Sequence, residues 1–313
     1  MADMIATRSA YGKTLAAFGG EREDIVVLDA DLSKSTMTHE FASKYPERFI
    51  QMGIAEQDMM ATAAGLAAAG KVAYASTFAV FAAGRAYDQV RNSVCYPALN
   101  VKICATHAGL TVGEDGGSHQ SIEDIALMRV VPNMKVIVPS DAVQTGWAVR
   151  NAADVDGPMY IRLGRAAVPV LYEQDYQFEL GKAPVLREGQ DVAIIACGVM
   201  VSKALEAADI LAEKGVSARV IDMFSIKPLD TEAVERAAND CGAIVTAEEH
   251  SVIGGLGGAV AEAVTSTKSV PVERVGVADK FGKSGKPDEL LKAYGLTAEA
   301  IAEAALKAIA RKA

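Results

Sequence analysis

Short apolar runs rich in β-branched residues recur along the chain and alternate with Ala-rich stretches whose apolar positions fall at helical spacing. IVVLDAD (25–31), KVAYASTF (71–78), VKICATH (101–107), KVIVPS (135–140) and MYIRLG (159–164) predict strands in the first half. DVAIIACG (191–198), ARVIDMF (218–224), AIVTAEE (243–249) and VERVGV (272–277) predict them in the second. The runs are nearly continuous rather than alternating, which suits parallel strands buried on both faces. EQDMMATAAGLAAAG and VSKALEAADILAEKG are good helix formers ended by glycine. Such alternation predicts an α/β fold of mostly parallel sheets flanked by helices. The polar stretch LYEQDYQFELGKAPVLREGQ (171–190) interrupts the pattern and has a linker's composition. It divides the chain into successive domains at 1–175 and 188–313, joined by a linker over 176–187.

Composition fits this picture and narrows the function. A length of 313 residues exceeds the usual span of one core. A net charge of −9 speaks against a nucleic-acid partner, which needs clustered cations to neutralise phosphates. No apolar run is long enough to span a membrane, and the N-terminal MADMIATRSAYGKTLAAF lacks the apolar core of a signal peptide. Cys95, Cys104, Cys197 and Cys241 lie far apart with no CxxC spacing, which predicts buried thiols in a reducing compartment. The expectation is a cytoplasmic globular protein.

Ligands of open parallel sheets sit beyond the carboxyl ends of the strands. In the first domain the residues there are Asp29, Asp31, Phe78, Phe81, the segment His107–His119, Arg162 and Arg165. The loop THAGLTVGEDGGSHQ (106–120) carries two of the four histidines, an acidic pair and four glycines. Such a composition ordinarily means a surface turn. Phe78 and Phe81 are three apart, a spacing for core packing or for a ring face offered to a heteroaromatic ligand. Glu56, after Gly53-Ile54-Ala55, opens an almost wholly apolar helix. It is either a carboxylate favourable to the helix dipole or a carboxyl in a dry pocket, with a raised pKa, that exchanges a proton. In the second domain Glu249 and His250 read as a small ionic cluster, and GGLGG is a weak anion-site signal.

Taken together and in order, ATRSAYG, LDADLSKSTMT, GIAEQ, STFAVF, THAGLTVGEDGGSHQ and YIRLGR resemble the C-terminal half of a transketolase. These thiamine-diphosphate enzymes move two-carbon units between sugars. The resemblance covers essentially the whole chain, pyrimidine-binding domain first and the family's C-terminal domain second. It implies that Glu56 hydrogen-bonds N1′ of the aminopyrimidine and so favours the tautomer whose 4′-nitrogen takes the thiazolium C2 proton. Phe78 and Phe81 would form the aromatic pocket around that ring, with Asp31 helping to position the cofactor from near the subunit boundary. The tyrosine often found three residues after the second phenylalanine is here Gly84, which loosens the pocket or leaves it to another chain. The resemblance sets His107 and His119 on the substrate channel, both as catalytic candidates. His119 would bond the donor's C1 hydroxyl and carbonyl region, where an imidazole can donate and accept at neutral pH. Asp115 would read a sugar hydroxyl. Arg8, Ser35, His107 and Arg165 match the sugar-phosphate grip, for which guanidinium forks are suited. Arg162 is the rival of Arg165, and opposite facing would let one of the two pair within the fold.

One motif of the family is missing. Its GDG segment and following Asn bind Mg²⁺ and the diphosphate, and nothing in this chain offers that oxygen set. The resemblance therefore implies a split enzyme, in which a separate N-terminal subunit carries the diphosphate and Mg²⁺ and two copies of each chain form a dimer of heterodimers. Phosphorylated sugars are the implied substrates, though the residues do not name the ketose or the aldose. A 1-deoxyxylulose-5-phosphate synthase shares GIAEQ and RAYDQV, and the beta subunit of a 2-oxo acid decarboxylase is also a half-enzyme, but neither is expected to carry the TH…GEDG…HQ loop. A non-catalytic scaffold would need none of Glu56, His107, Asp115, His119 and Arg165.

Overall fold

The apolar runs form the inner strands of two parallel sheets in a computed structural model that describes residues 3–312. In the larger sheet the order is Ser225–Lys227, Lys135–Ile137, Met159–Arg162, Val101–Thr106, Val72–Phe78, Ile25–Asp29, Phe49–Gln51. All neighbours are parallel except Ser225–Lys227, which adds antiparallel at one edge. The smaller sheet runs Val272–Val277, Ile244–Ser251, Val192–Ala196, Ala218–Asp222, Val185–Arg187, parallel but for the last strand. Val185–Arg187 lies within the stretch 176–187. Met4–Ala6 and Ala167–Pro169 make a separate antiparallel pair that brings the two ends of the first domain together.

Burial explains the absence of alternation. Ile25–Asp29, Val72–Phe78, Val101–Thr106 and Val192–Ala196 are buried at every position, because helices cover both faces. Helix Glu56–Ala68 packs Met59, Met60, Ala63 and Ala64 on the larger sheet. Met200–Glu213 and Ala298–Ile309 cover the smaller one through Ala204, Leu211, Ile301 and Ala305. The four cysteines are buried and unpaired.

The two sheets are stitched by buried polar contacts as well as by the shared edge. Asp222 accepts hydrogen bonds from Ser140 Oγ (2.8 Å), Gln144 Nε2 (3.0 Å) and Tyr172 Oη (2.7 Å). Burial pushes its carboxyl up to about 6. The segment around residue 283 folds over the loop 106–120, where Gln120 Nε2 donates to the Lys283 carbonyl at 3.0 Å.

Candidate functional site

The carboxyl ends of Ile25–Asp29, Val72–Phe78, Val101–Thr106 and Met159–Arg162 point to one side of the larger sheet and bring most of the expected residues together. Phe78 ends its strand and Phe81 opens a wide π-helical turn, Phe81–Arg85, so their rings stack nearly parallel, 5.9 Å apart at 11°. His107 lies on the other strand end with φ +55°, a left-handed conformation rare outside glycine. The backbone turn sets the imidazole on Phe78, centroids 3.8 Å apart. His119 approaches both phenylalanines edge-on, at 6.2 Å and 5.6 Å, and its Nδ1 is 2.9 Å from Ser118 Oγ.

Two neighbours fix the protonation of His107. Arg8 Nη1, which can only donate, lies 3.4 Å from Nε2, so Nε2 is the acceptor. Nδ1 then carries the hydrogen and donates to Thr106 Oγ1 at 2.9 Å. Burial, with Arg8, Arg165 and His119 adding to it, pushes the imidazole down to about 3. His107 is a neutral hydrogen-bonding group at physiological pH, whereas His119 is only partly covered.

The arginines divide as their spacing allows. Arg162, 6% exposed, pairs with Asp124 at 2.8 Å and donates to the Ser121 and Glu249 carbonyls, a closed internal network. Arg165 turns the other way, toward the loop. Its Nη1 donates to the Val112 carbonyl and stands 3.7 Å from each of Glu114 and Asp115. Arg8 bonds the Ser35 carbonyl at 2.8 Å, while its Nε is buried without a partner. Burial, then the charge of Arg165, lowers Arg8 from its ordinary value. The two guanidiniums repel each other and leave one buried donor unpartnered, a charge pattern that an anion would relieve. Ser35 contributes its carbonyl to Arg8. Asp31, exposed and at φ +64°, stands apart: its amide donates to Gln51 Oε1 at 2.7 Å.

The loop itself is framed from beneath by the second domain. Gly109, at φ +81°, lies so close to the Glu249 carboxyl that a Cβ there would collide with it. Glu249 accepts from the Thr111 amide at 2.5 Å and from its hydroxyl at 3.3 Å. Burial pushes its carboxyl up to about 7 despite Arg162. The predicted ionic cluster is thus an internal support of the loop, with His250 against Glu248 at 3.5 Å and both buried.

Glu56 opens helix Glu56–Ala68 and is 2% exposed. It does not face an empty pocket. Arg85 Nη1 lies 3.0 Å and 3.1 Å from its two oxygens, and the guanidinium carbon stands 4.5 Å over the Phe81 ring. The sequence reading did not single out Arg85; its position four residues after Phe81, a spacing at which a helix brings side chains together, was the available signal. A buried carboxylate beside a ring face fits a planar heteroaromatic with a polar edge. No group of three or more His, Cys, Asp or Glu side chains among the described residues is placed to hold a metal ion. No helix among them is long and apolar enough to cross a membrane.

Comparison with known proteins agrees with the two-part architecture. Residues 3–170 match the transketolase pyrimidine-binding domain and residues 181–301 the transketolase C-terminal domain. A protein of Methanocaldococcus jannaschii named as a transketolase C-terminal section is 51% identical, over 95% of this chain and 94% of that one. The 6-deoxy-6-sulfo-D-fructose transketolase subunit SqwH of Clostridium sp. (strain MSTE9) is 44% identical over 97% and 95%. Among solved structures, a split-gene transketolase in the form of an inactive beta4 tetramer is 56% identical, with a TM-score of 0.92 over 99% of this chain and 100% of that one.

Proposed function

The chain belongs to the transketolase family, and on that premise we propose that it is the C-terminal subunit of a split transketolase, transferring a two-carbon ketol unit from a ketose phosphate to an aldose phosphate. The observation that carries this is a buried carboxylate with a stacked aromatic pair nearby, the two surfaces an aminopyrimidine would use. Domains at 1–175 and 188–313 correspond to pyrimidine binding and to subunit contact. Residues for the aminopyrimidine end are Glu56, Phe78 and Phe81, with Asp31 reaching from the boundary; the diphosphate and Mg²⁺ fall to an N-terminal subunit, in a dimer of heterodimers.

Thiamine diphosphate, when bound, supplies the electron sink for cleaving the bond next to the ketose carbonyl. Glu56 holds a proton at the pyrimidine edge, and its burial strengthens that bond. His107, neutral and fixed in tautomer, stacks on Phe78 and through Nε2 accepts from Arg8, steadying that guanidinium for the substrate. His119 moves a proton at the sugar hydroxyl, and Asp115 bonds a second hydroxyl. Arg8 and Arg165 receive the anionic tail, with Ser35 orienting Arg8.

The test is to assay this chain with thiamine diphosphate, Mg²⁺, a ketose phosphate and an aldose phosphate, alone and with the diphosphate-binding subunit. Ketol transfer is expected only from the mixture. Robust transfer by this chain alone refutes the split, and turnover of pyruvate in place of a ketose phosphate moves the assignment to the 2-oxo acid or deoxyxylulose enzymes.

A further inference from the structure

We propose that Arg85 is the resident counter-ion of Glu56, occupying the pyrimidine seat until the coenzyme ring displaces its guanidinium into solvent. The inference rests on the coenzyme site proposed above. Its basis is that one side chain already uses both surfaces the coenzyme ring would need. Arg85 Nη1 bridges the two Glu56 oxygens at 3.0 Å and 3.1 Å, and its guanidinium lies 4.5 Å over Phe81. A guanidinium is planar, stacks on aromatic rings and donates N–H groups in its plane. An aminopyrimidine is likewise planar and stacking, with a polar edge for a carboxyl group. Both cannot use the carboxylate and the ring face at once.

The occupant is needed and is also free to leave. Glu56 is 2% exposed, and an ionised carboxylate so far from water is costly without a partner. Arg85, by contrast, has a side chain 51% exposed. Its backbone is held independently, because Gln57 Nε2 donates to the Arg85 carbonyl at 3.2 Å. The side chain can therefore swing outward without moving the turn Phe81–Arg85 that carries Phe81. Gly84 beside it leaves open space where a bulkier residue would crowd that swing: a Cβ there meets nothing within 4 Å. An ion pair with one solvated partner exchanges at small net cost, so displacement weakens coenzyme binding only modestly.

The test compares wild type with Arg85→Met, which keeps the apolar stem and removes the charge. Thiamine diphosphate is titrated calorimetrically, in excess Mg²⁺, into the complex of this chain with the diphosphate-binding subunit. Arg85→Met is expected to bind the coenzyme roughly three- to fivefold more tightly, the scale of a half-exposed ion pair. The same substitution lowers the Tm of this chain alone, because Glu56 loses its partner. In the Glu56→Gln background Arg85→Met no longer lowers it. Equal or weaker coenzyme binding by Arg85→Met, with wild type binding normally, overturns the proposal, since an arginine that merely supports the site would weaken both affinity and Tm. Absence of binding by wild type overturns the coenzyme site itself. If Arg85→Met does not fold, Arg85→Gln carries the test, with tighter binding again expected and equal or weaker binding overturning it.

Discussion

Glu56 and Glu249 are both buried carboxyls, yet their partners set them to different tasks. Glu56 opens a helix beside a ring face and is held by a half-exposed arginine, whereas Glu249 is locked to the backbone of a loop. Replacing Glu56 by Gln keeps shape but removes the exchangeable proton. Turnover of the reconstituted enzyme should fall by roughly 10²–10⁴, the scale of general acid–base catalysis, with coenzyme affinity changed far less. Near-normal turnover would exclude Glu56 from proton transfer. Arg162 and Arg165 make a second contrast, since three positions separate a sealed ion pair from a solvent-facing cation. Arg162→Ala should destabilise the fold by about 3–5 kcal/mol in urea unfolding, because Asp124 is left buried and unpaired. Arg165→Ala should leave the urea midpoint nearly unchanged while lowering kcat/KM for phosphorylated sugars more than for their unphosphorylated counterparts. Equal losses for both would remove Arg165 from anion binding.

The loop 106–120 and the strand Ile244–Ser251 act as one unit through Glu249, and that coupling is measurable as pH dependence. The carboxyl is raised to about 7 from an ordinary 4.5. Below about 4.5 it is protonated in folded and unfolded chains alike, so its stabilising contribution is fully present. As pH rises toward 7 the unfolded chain ionises while the native one keeps its proton, and stability is lost, on the order of 3 kcal/mol in total. Glu249→Gln should flatten that decline; the wild-type minus variant difference in unfolding free energy, followed from pH 4.5 to 8, isolates it from His107, which has the opposite slope. A pH-independent difference would mean that Glu249 titrates alike in the folded and unfolded chains, and would remove the raised carboxyl. The inner strands were legible because burial on both faces leaves a continuous apolar run, and the strand ends marked Phe78, His107 and Arg165. Met4–Ala6, Phe49–Gln51, Ala167–Pro169, Val185–Arg187 and Ser225–Lys227 were not, since three residues are too few to show a period and each pairs by tertiary placement. Arg85 escaped notice for a related reason: it matters through a pairing across 29 positions, and RAYDQV carries no mark of its partner.

The chain as a whole presents the aromatic and cationic half of a site on one rim of its larger sheet, which is why its chemistry is proposed to need a second polypeptide. Its own two domains are much less separable. Ser225–Lys227 comes from the second domain but hydrogen-bonds to Lys135–Ile137 of the first, and Ile226 is buried in the core that both share. A fragment ending near residue 175 would lack that strand and bare a row of unpaired backbone amides and carbonyls along Lys135–Ile137. Such a fragment should self-associate edge to edge, seen as concentration-dependent growth in light scattering, while the intact chain stays at one size. Gene fusions, truncations or domain grafts made from this protein must therefore be cut around both halves, because a strand from beyond the border drawn by the chain's sequence closes the edge of the first domain's sheet.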